Sequence, residues 1–201
     1  MKLYFSPGAC SLSPHIVMHE AGLAFEAVKA PTKTHQLDDG TDFYTINPLG
    51  YIPFLVLDDG RTLSEGPAIV QYLADLAPEK NLAPANGTFE RSELQQWLNL
   101  IATELHKNFS PFFGKVANDE YKAFVKERLM QRLAFVDAHL AGKDYLLGSQ
   151  FSVADAYLFT VTGWAKPLGF DLSHLSTLMA FRERVAARPA VVAAMKAEGL
   201  I

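Results

Sequence analysis

The spacing of apolar residues changes character along this 201-residue chain. Lys2 to Phe5 is a short apolar run broken by Pro7-Gly8, which predicts a strand and a turn; a helix follows from about 11 to 22 and stops at Gly22. Phe25 to Ala30 alternates as a second strand, and the polar stretch 32–45 carries a short, irregular helix. Asn47-Pro48-Leu49-Gly50-Tyr51-Ile52-Pro53 is a turn segment. Phe54 to Leu57 reads as a fully apolar strand, Asp58-Asp59-Gly60 as a hairpin turn, and Arg61-Thr62-Leu63 as the partner strand. A helix over 65–76 places Ile69, Tyr72, Leu73 and Leu76 on one face. A βαβ unit followed by ββα is a compact mixed sheet with helices on its faces.

Beyond this point the period is helical almost throughout. Pro78, Asn81, Pro84, Asn86 and Gly87 give 78–87 the composition of an extended linker. Leu94, Trp97, Leu98, Ile101 and Leu105 form one amphipathic stripe in 89–114, and Phe124, Val125, Leu129, Leu133, Val136 and Leu140 form another in 121–140. Ser152-Val153-Ala154-Asp155 is a capping-box pattern opening a helix apolar on every side, which predicts a buried central helix. Segments 175–187 and 190–197 complete the bundle, separated by Pro189. The expected organisation is α/β followed by all-α: a domain over 1–77, a linker over 78–86, and a helical domain over 87–201.

A hydrophobic content of 49% supports a full core. A formal net charge of −4 gives no electrostatic reason to expect nucleic acid or an anionic membrane as partner. No apolar run approaches the ~18 residues of a membrane span, and the N-terminal run is too short for a signal-peptide core. A single cysteine cannot close an internal disulfide, so the expected compartment is the reducing cytoplasm.

That cysteine, Cys10, lies at the first strand-to-helix junction, where unpaired backbone N–H groups and the helix dipole favour a thiolate. Bringing a thiol from ~8.5 to ~7 takes about 2 kcal/mol, whereas a helix terminus typically supplies ~0.3–1 kcal/mol. A second stabilising partner is therefore required. The competing reading is that Cys10 is a small buried hydrophobe. Local rules leave the helix start open between Ser13 as cap with Pro14 at the first helical position and Ser11 as cap with Pro14 later in the first turn. His15 and His19 are spaced i and i+4, but no third ligand accompanies them and no metal site is expected.

Five segments in order carry a resemblance. They are Ser6-Pro7-Gly8-Ala9-Cys10-Ser11, Asn47 to Pro53, Leu63-Ser64-Glu65-Gly66-Pro67-Ala68-Ile69, Trp97-Leu98-Asn99 through Thr103-Glu104-Leu105-His106, and Gly148 to Tyr157. Together they resemble the cytosolic glutathione S-transferases, in particular the bacterial beta class, whose members carry a cysteine at this first junction. The resemblance implies a thioredoxin-like N-terminal domain, an all-helical C-terminal domain, glutathione bound between them as co-substrate with no prosthetic group, and a homodimer. It implies a cis Pro53 that turns the N–H and C=O of Ile52 toward the tripeptide. Glu65 and Gly66 would receive the γ-glutamyl end; most relatives have serine where Gly66 stands, leaving the backbone to serve. His35 falls where a lysine often meets the glycine carboxylate. Asn99, Thr103, Glu104, Leu105 and His106 match positions lining the glutathione site, with His106 as the partner of the Cys10 thiol. Ser11 is either a helix cap or a donor to the glutathione sulfur. Phe109, Phe112, Phe113 and Trp164 are candidates for the pocket of an apolar co-substrate.

The implied activity is conjugation of glutathione to small apolar electrophiles. Two alternatives stand beside it. Cys10-Ser11-Leu12-Ser13 is a redox CxxC with its second cysteine replaced, so a mixed disulfide with glutathione would support thiol-disulfide exchange; or the fold would act as a non-enzymatic carrier.

Overall fold

The computed structural model describes residues 1–114 and 117–201. They form two compact units, one made of 1–83 together with 187–201 and the other of 84–186.

The first unit is built on a four-stranded sheet in the order β2-β1-β3-β4, with β1 Lys2–Phe5, β2 Glu26–Lys29, β3 Phe54–Val56 and β4 Thr62–Ser64. β1 runs parallel to β2, and the β1–β3 and β3–β4 pairs are antiparallel. The period-2 alternation of strand side chains divides the residues between two faces. Tyr4 and Phe54 pack with Ala30, Leu37 and Phe43 on one, while Leu3 and Leu55, opposite each other in the register, are fully buried on the other.

Helix α1 (Leu12–Ala21) ends where Gly22 adopts φ 66° and turns the chain, its N–H capping the His19 carbonyl. Helix α2 (Gly66–Asp75) packs against α1. It buries Ile69 and Leu73 of the expected face together with Val70 and Ala74, while Tyr72 is half-buried and Leu76 is 43% exposed.

The helical domain expected to reach residue 201 gives up its last fifteen residues to the first unit. Helix α8 (Pro189–Ala197), with Pro189 at its first position, packs along α1. Arg188 clamps Glu20 of α1 through Nε and Nη2. The fully buried Glu198 accepts from Gly8 N–H at 2.8 Å and lies 2.9 Å from His15 Nδ1. A buried carboxylate needs such partners, and only α1 and the loop before it provide them.

In the second unit α3 (Phe89–Leu100) is capped by Thr88, whose hydroxyl accepts from Arg91 N–H. It continues without a break into a π-helical turn, Ile101–His106, and a short α4, Lys107–Phe109. Helix α5 (Asp119–Leu140) starts at an Asn118 cap. All ten residues of α6 (Val153–Thr162) are buried, as the uniformly apolar pattern requires. Helix α7 spans Ser176–Ala186.

The capping box at α6 is formed as expected. The Asp155 carboxylate accepts from Ser152 N–H and Oγ–H and from Leu146 N–H, at 2.7–2.8 Å. Burial pushes its carboxyl up to about 6, against the opposing pull of these donors. Replacing Asp155 by alanine would strand those donors inside the core, an expected loss of about 3 kcal/mol or more. Urea denaturation checks this, and a loss below about 1 kcal/mol would contradict the role given to the box.

Candidate active site

Cys10 is half-buried in the loop between β1 and α1. Its thiol donates to the carbonyl of Ile52 at 3.3 Å. The loop is pinned by Ser11, which stands at the N-cap of α1 without making a cap bond. Its fully buried hydroxyl accepts from Ser6 N–H at 3.1 Å and donates to Ser6 C=O at 3.2 Å. The hydroxyl hydrogen is thereby committed. Ser11 thus takes the N-cap position while its side chain staples the loop, and as a donor to sulfur it would exchange its bond to the Ser6 carbonyl. Pro14, two residues after Leu12, sits in the first turn, where its missing N–H costs nothing.

The Ile52–Pro53 peptide is cis. The turn leading to it is held by buried Asn47, which donates to Tyr51 C=O and accepts from Leu49 N–H. The Ile52 carbonyl meets the Cys10 thiol, and its N–H makes no hydrogen bond among the described residues. Here is one backbone donor and acceptor pair suited to a peptide strand.

Glu65 is one of three non-glycine residues of this unit with positive φ among the described residues. It precedes α2 with φ 66° and ψ 112°, makes no side-chain cap bond, and leaves its carboxylate exposed. A non-glycine residue there costs of order 1–3 kcal/mol. An ordinary first-turn acid would have no reason to accept that conformation. Gly66 follows as the first helical residue; Pro67 has no N–H and those of Ala68 and Ile69 donate to the Glu65 carbonyl, so the Gly66 N–H is the first-turn donor left beside the exposed carboxylate. His35 also has positive φ, 52°; its ring lies 4.5 Å from that of Tyr44. Its Nδ1 is buried without a partner, which leaves Nε2 for any ligand. A Cβ at Gly50 would meet Tyr44 at 2.6 Å and His35 Nδ1 at 3.0 Å, so this stack requires glycine at 50.

The second unit gathers a second set. The rings of His106, Phe109 and Phe113 surround Trp164 at 4.9, 5.9 and 5.2 Å. Phe112 packs instead on Phe170, a residue the sequence did not single out. The His106 Nδ1 is 2.7 Å from the Tyr157 hydroxyl. Burial, helped by the Lys107 charge, lowers its imidazole to about 4. It is neutral under ordinary conditions, so it serves any anion through an N–H and not through a charge. Tyr157 closes the Gly148–Tyr157 segment of the resemblance but was not read as a site residue, because it lies among the apolar side chains of α6.

The neighbours of His106 lie on a helix that turns π-helical after Leu100. Asn99 and Thr103 are exposed, and the Thr103 hydroxyl donates to the Asn99 carbonyl at 2.9 Å. Glu104 is held by Arg132 and Arg128, which keep its carboxyl below the usual range. Leu105 is fully buried in the helical core. His15 and His19 stack at 21° with centroids 5.3 Å apart, and no group of His, Cys, Asp and Glu among the described residues is arranged to hold a metal.

Comparison with known proteins agrees with this arrangement. Residues 8–76 match the family described as glutathione S-transferase, N-terminal domain, and residues 100–189 its C-terminal domain. The chain is 44% identical over 200 residues to glutathione S-transferase GstA of Escherichia coli O157:H7, covering all of both chains. It is 39% identical over 207 residues to glutathione S-transferase GST-4.5 of Xanthomonas campestris, again over both whole chains. Among solved structures it is similar to BphK, a bacterial transferase in a ternary complex (TM-score 0.97, 56% identity, 99% and 100% of the two chains). It is likewise similar to a sphingomonad glutathione S-transferase complexed with glutathione (TM-score 0.96, 47% identity, both chains fully covered).

Two outcomes follow from the geometry. Glu65→Gly removes the positive-φ cost and should raise unfolding stability by about 1 kcal/mol after glycine's own entropic penalty; a drop in melting temperature would show that Glu65 is not strained. The native His106 imidazole takes its proton later than an unfolded one, so stability should fall as pH drops from 6.5 toward 4. By NMR its ring resonances should stay flat from about pH 8 to 5, and a midpoint near 6.5 would refute that burial effect.

Proposed function

Because the chain belongs to the glutathione S-transferase family, we propose that it transfers the thiolate of glutathione to the electrophilic carbon of small apolar substrates. The sulfur–carbon bond forms as the leaving group departs with its electron pair, and the thiol proton passes to solvent. The observation that carries this reading is Glu65, held at positive φ with its carboxylate outward at the start of α2. A ligand bearing an ammonium for Glu65 and a carboxylate for the Gly66 N–H at the start of α2 fits there, and the γ-glutamyl end of glutathione bears both.

The remaining assignments follow from chemistry. The cysteinyl main chain of the tripeptide pairs with the N–H and C=O of Ile52 beside Pro53, taking the place of the Cys10 thiol at that carbonyl, and its sulfur lies by Cys10. His35 meets the glycine carboxylate through Nε2. Neutral His106, with Nδ1 accepting from Tyr157, offers Nε2–H to a thiolate. Asn99, Thr103 and Glu104 complete the glutathione contacts, Leu105 through its main chain only. Phe109, Phe113 and Trp164, with Phe112 beyond them, receive the electrophile. Binding supplies proximity, and donors around the sulfur lower its pKa. The exposed Phe89 and Phe124, 75% and 63% accessible, support a homodimer that covers them, and a single cysteine left as a thiol suits the cytoplasm.

A second reading, thiol-disulfide exchange, is favoured by Cys10 being the chain's single cysteine and half-buried in a loop. Its thiolate would attack oxidised glutathione, forming a mixed disulfide and releasing one glutathione thiolate.

Titration calorimetry with reduced glutathione at millimolar concentration should give saturable heat, and Glu65→Ala should weaken binding about tenfold or more. Absence of heat would overturn the assignment. With a chlorinated aromatic as acceptor, conjugation that survives Cys10→Ala fits the transfer reading. An adduct of one glutathione seen by mass spectrometry, and lost in the same variant, supports exchange as a companion activity.

A further inference from the structure

Arg182 of α7 is half-buried and bonds no carboxylate among the described residues. Its Nη1 donates to the Phe159 carbonyl at 2.8 Å and to the Thr162 hydroxyl, and the guanidinium lies 5.0 Å above the Phe159 ring. These contacts close the C-terminus of α6, whose dipole offsets roughly half a unit charge. Nε–H and the two Nη2–H remain without partners among the described residues. Burial lowers the guanidinium to about 10, which leaves it charged at neutral pH.

Those donors border a cavity of about 300 Å³ within the helical unit, with Phe170, Leu172, Met179 and Lys166 on its walls. Gly163 keeps the side next to the guanidinium open, since a Cβ there would lie 3.6 Å from Nη2 and 3.0 Å from the Thr160 carbonyl. Asp171 is the one carboxylate of the lining, and its Oδ1 already accepts from Ser173 N–H. The walls are mostly hydrocarbon and carry two cations, Arg182 and Lys166, against the single carboxylate of Asp171, a combination that selects for negative charge at one end of an apolar molecule.

We propose that this cavity binds a small amphipathic carboxylate, its head on the Arg182 guanidinium and its hydrocarbon body against Phe170, Leu172 and Met179. A planar guanidinium with two adjacent N–H directions matches a carboxylate in a bidentate manner. The volume is at the lower end of ligand pockets, which limits the body to a medium-length acyl chain or a single ring. None of the residues assigned to glutathione lines it. Phe170 is also edge-on to Phe109 at 5.4 Å and to Phe112 at 4.8 Å. If the electrophile reading above holds, an occupant therefore presses on the same aromatic set.

The probe is octanoate, titrated by calorimetry and by NMR of the Arg182 Nε–H in the full-length protein. Saturable binding is expected in the millimolar range or tighter, weakened about tenfold for octanol, which lacks the charge. Arg182→Gln should weaken it likewise, and Met179→Trp, which fills the body of the cavity without touching the α6 cap, should abolish it. Saturating S-hexylglutathione should leave octanoate binding in place. Absence of saturable binding, binding undisturbed by Met179→Trp, or full displacement by S-hexylglutathione would each overturn the site, whether or not glutathione itself binds.

Discussion

The hydrogen bonds that fasten the loop between β1 and α1 are the constraint on which the rest depends. A cysteine at a helix start is useful only if its sulfur is held where a second thiol can reach it. Packing cannot do that for a loop carrying Pro7 and Gly8. The task falls to Ser11, which closes the loop on Ser6 from inside, and to Glu198, which grips Gly8 from the other end of the chain. Both groups are buried, so each bond is made in a low dielectric and leaves no solvent competitor. The Cys10 thiol then lies against the Ile52 carbonyl as a result of backbone placement rather than of its own chemistry.

Much of this was written locally. The strand pattern of 2–5, the Gly22 stop, the hairpin at 58–60 and the capping box at 152–155 follow from short-range rules, and the structure keeps all of them. What was not legible arises from partners far apart. Glu198 carries no motif, and its role exists only because α8 returns to α1. The positive φ of Glu65 reflects the path of the chain between β4 and α2, for which a glutamate gives no warning. The π-turn at Ile101–His106 falls inside an unbroken amphipathic stripe, whose apolar spacing gives no sign of it.

The two units divide their chemistry by polarity. The first offers backbone groups, one thiol and one strained carboxylate, the equipment to recognise a peptide. The second offers aromatic faces and a neutral imidazole held by Tyr157. A charged imidazole among those rings would have to be desolvated without a counter-ion, so it stays uncharged, with the Tyr157 hydroxyl 2.7 Å from its Nδ1.

The return of residues 187–201 to the first unit makes the helical unit, in covalent terms, an insertion within the sheet unit. Ring closure over so long a span is entropically cheap, since each doubling of length adds only about 0.6 kcal/mol. It nonetheless sets an order of events. During synthesis the anchor for Gly8 emerges after the whole intervening bundle, so the thiol-bearing segment has to wait, unsupported, for the final helix before it acquires its working shape.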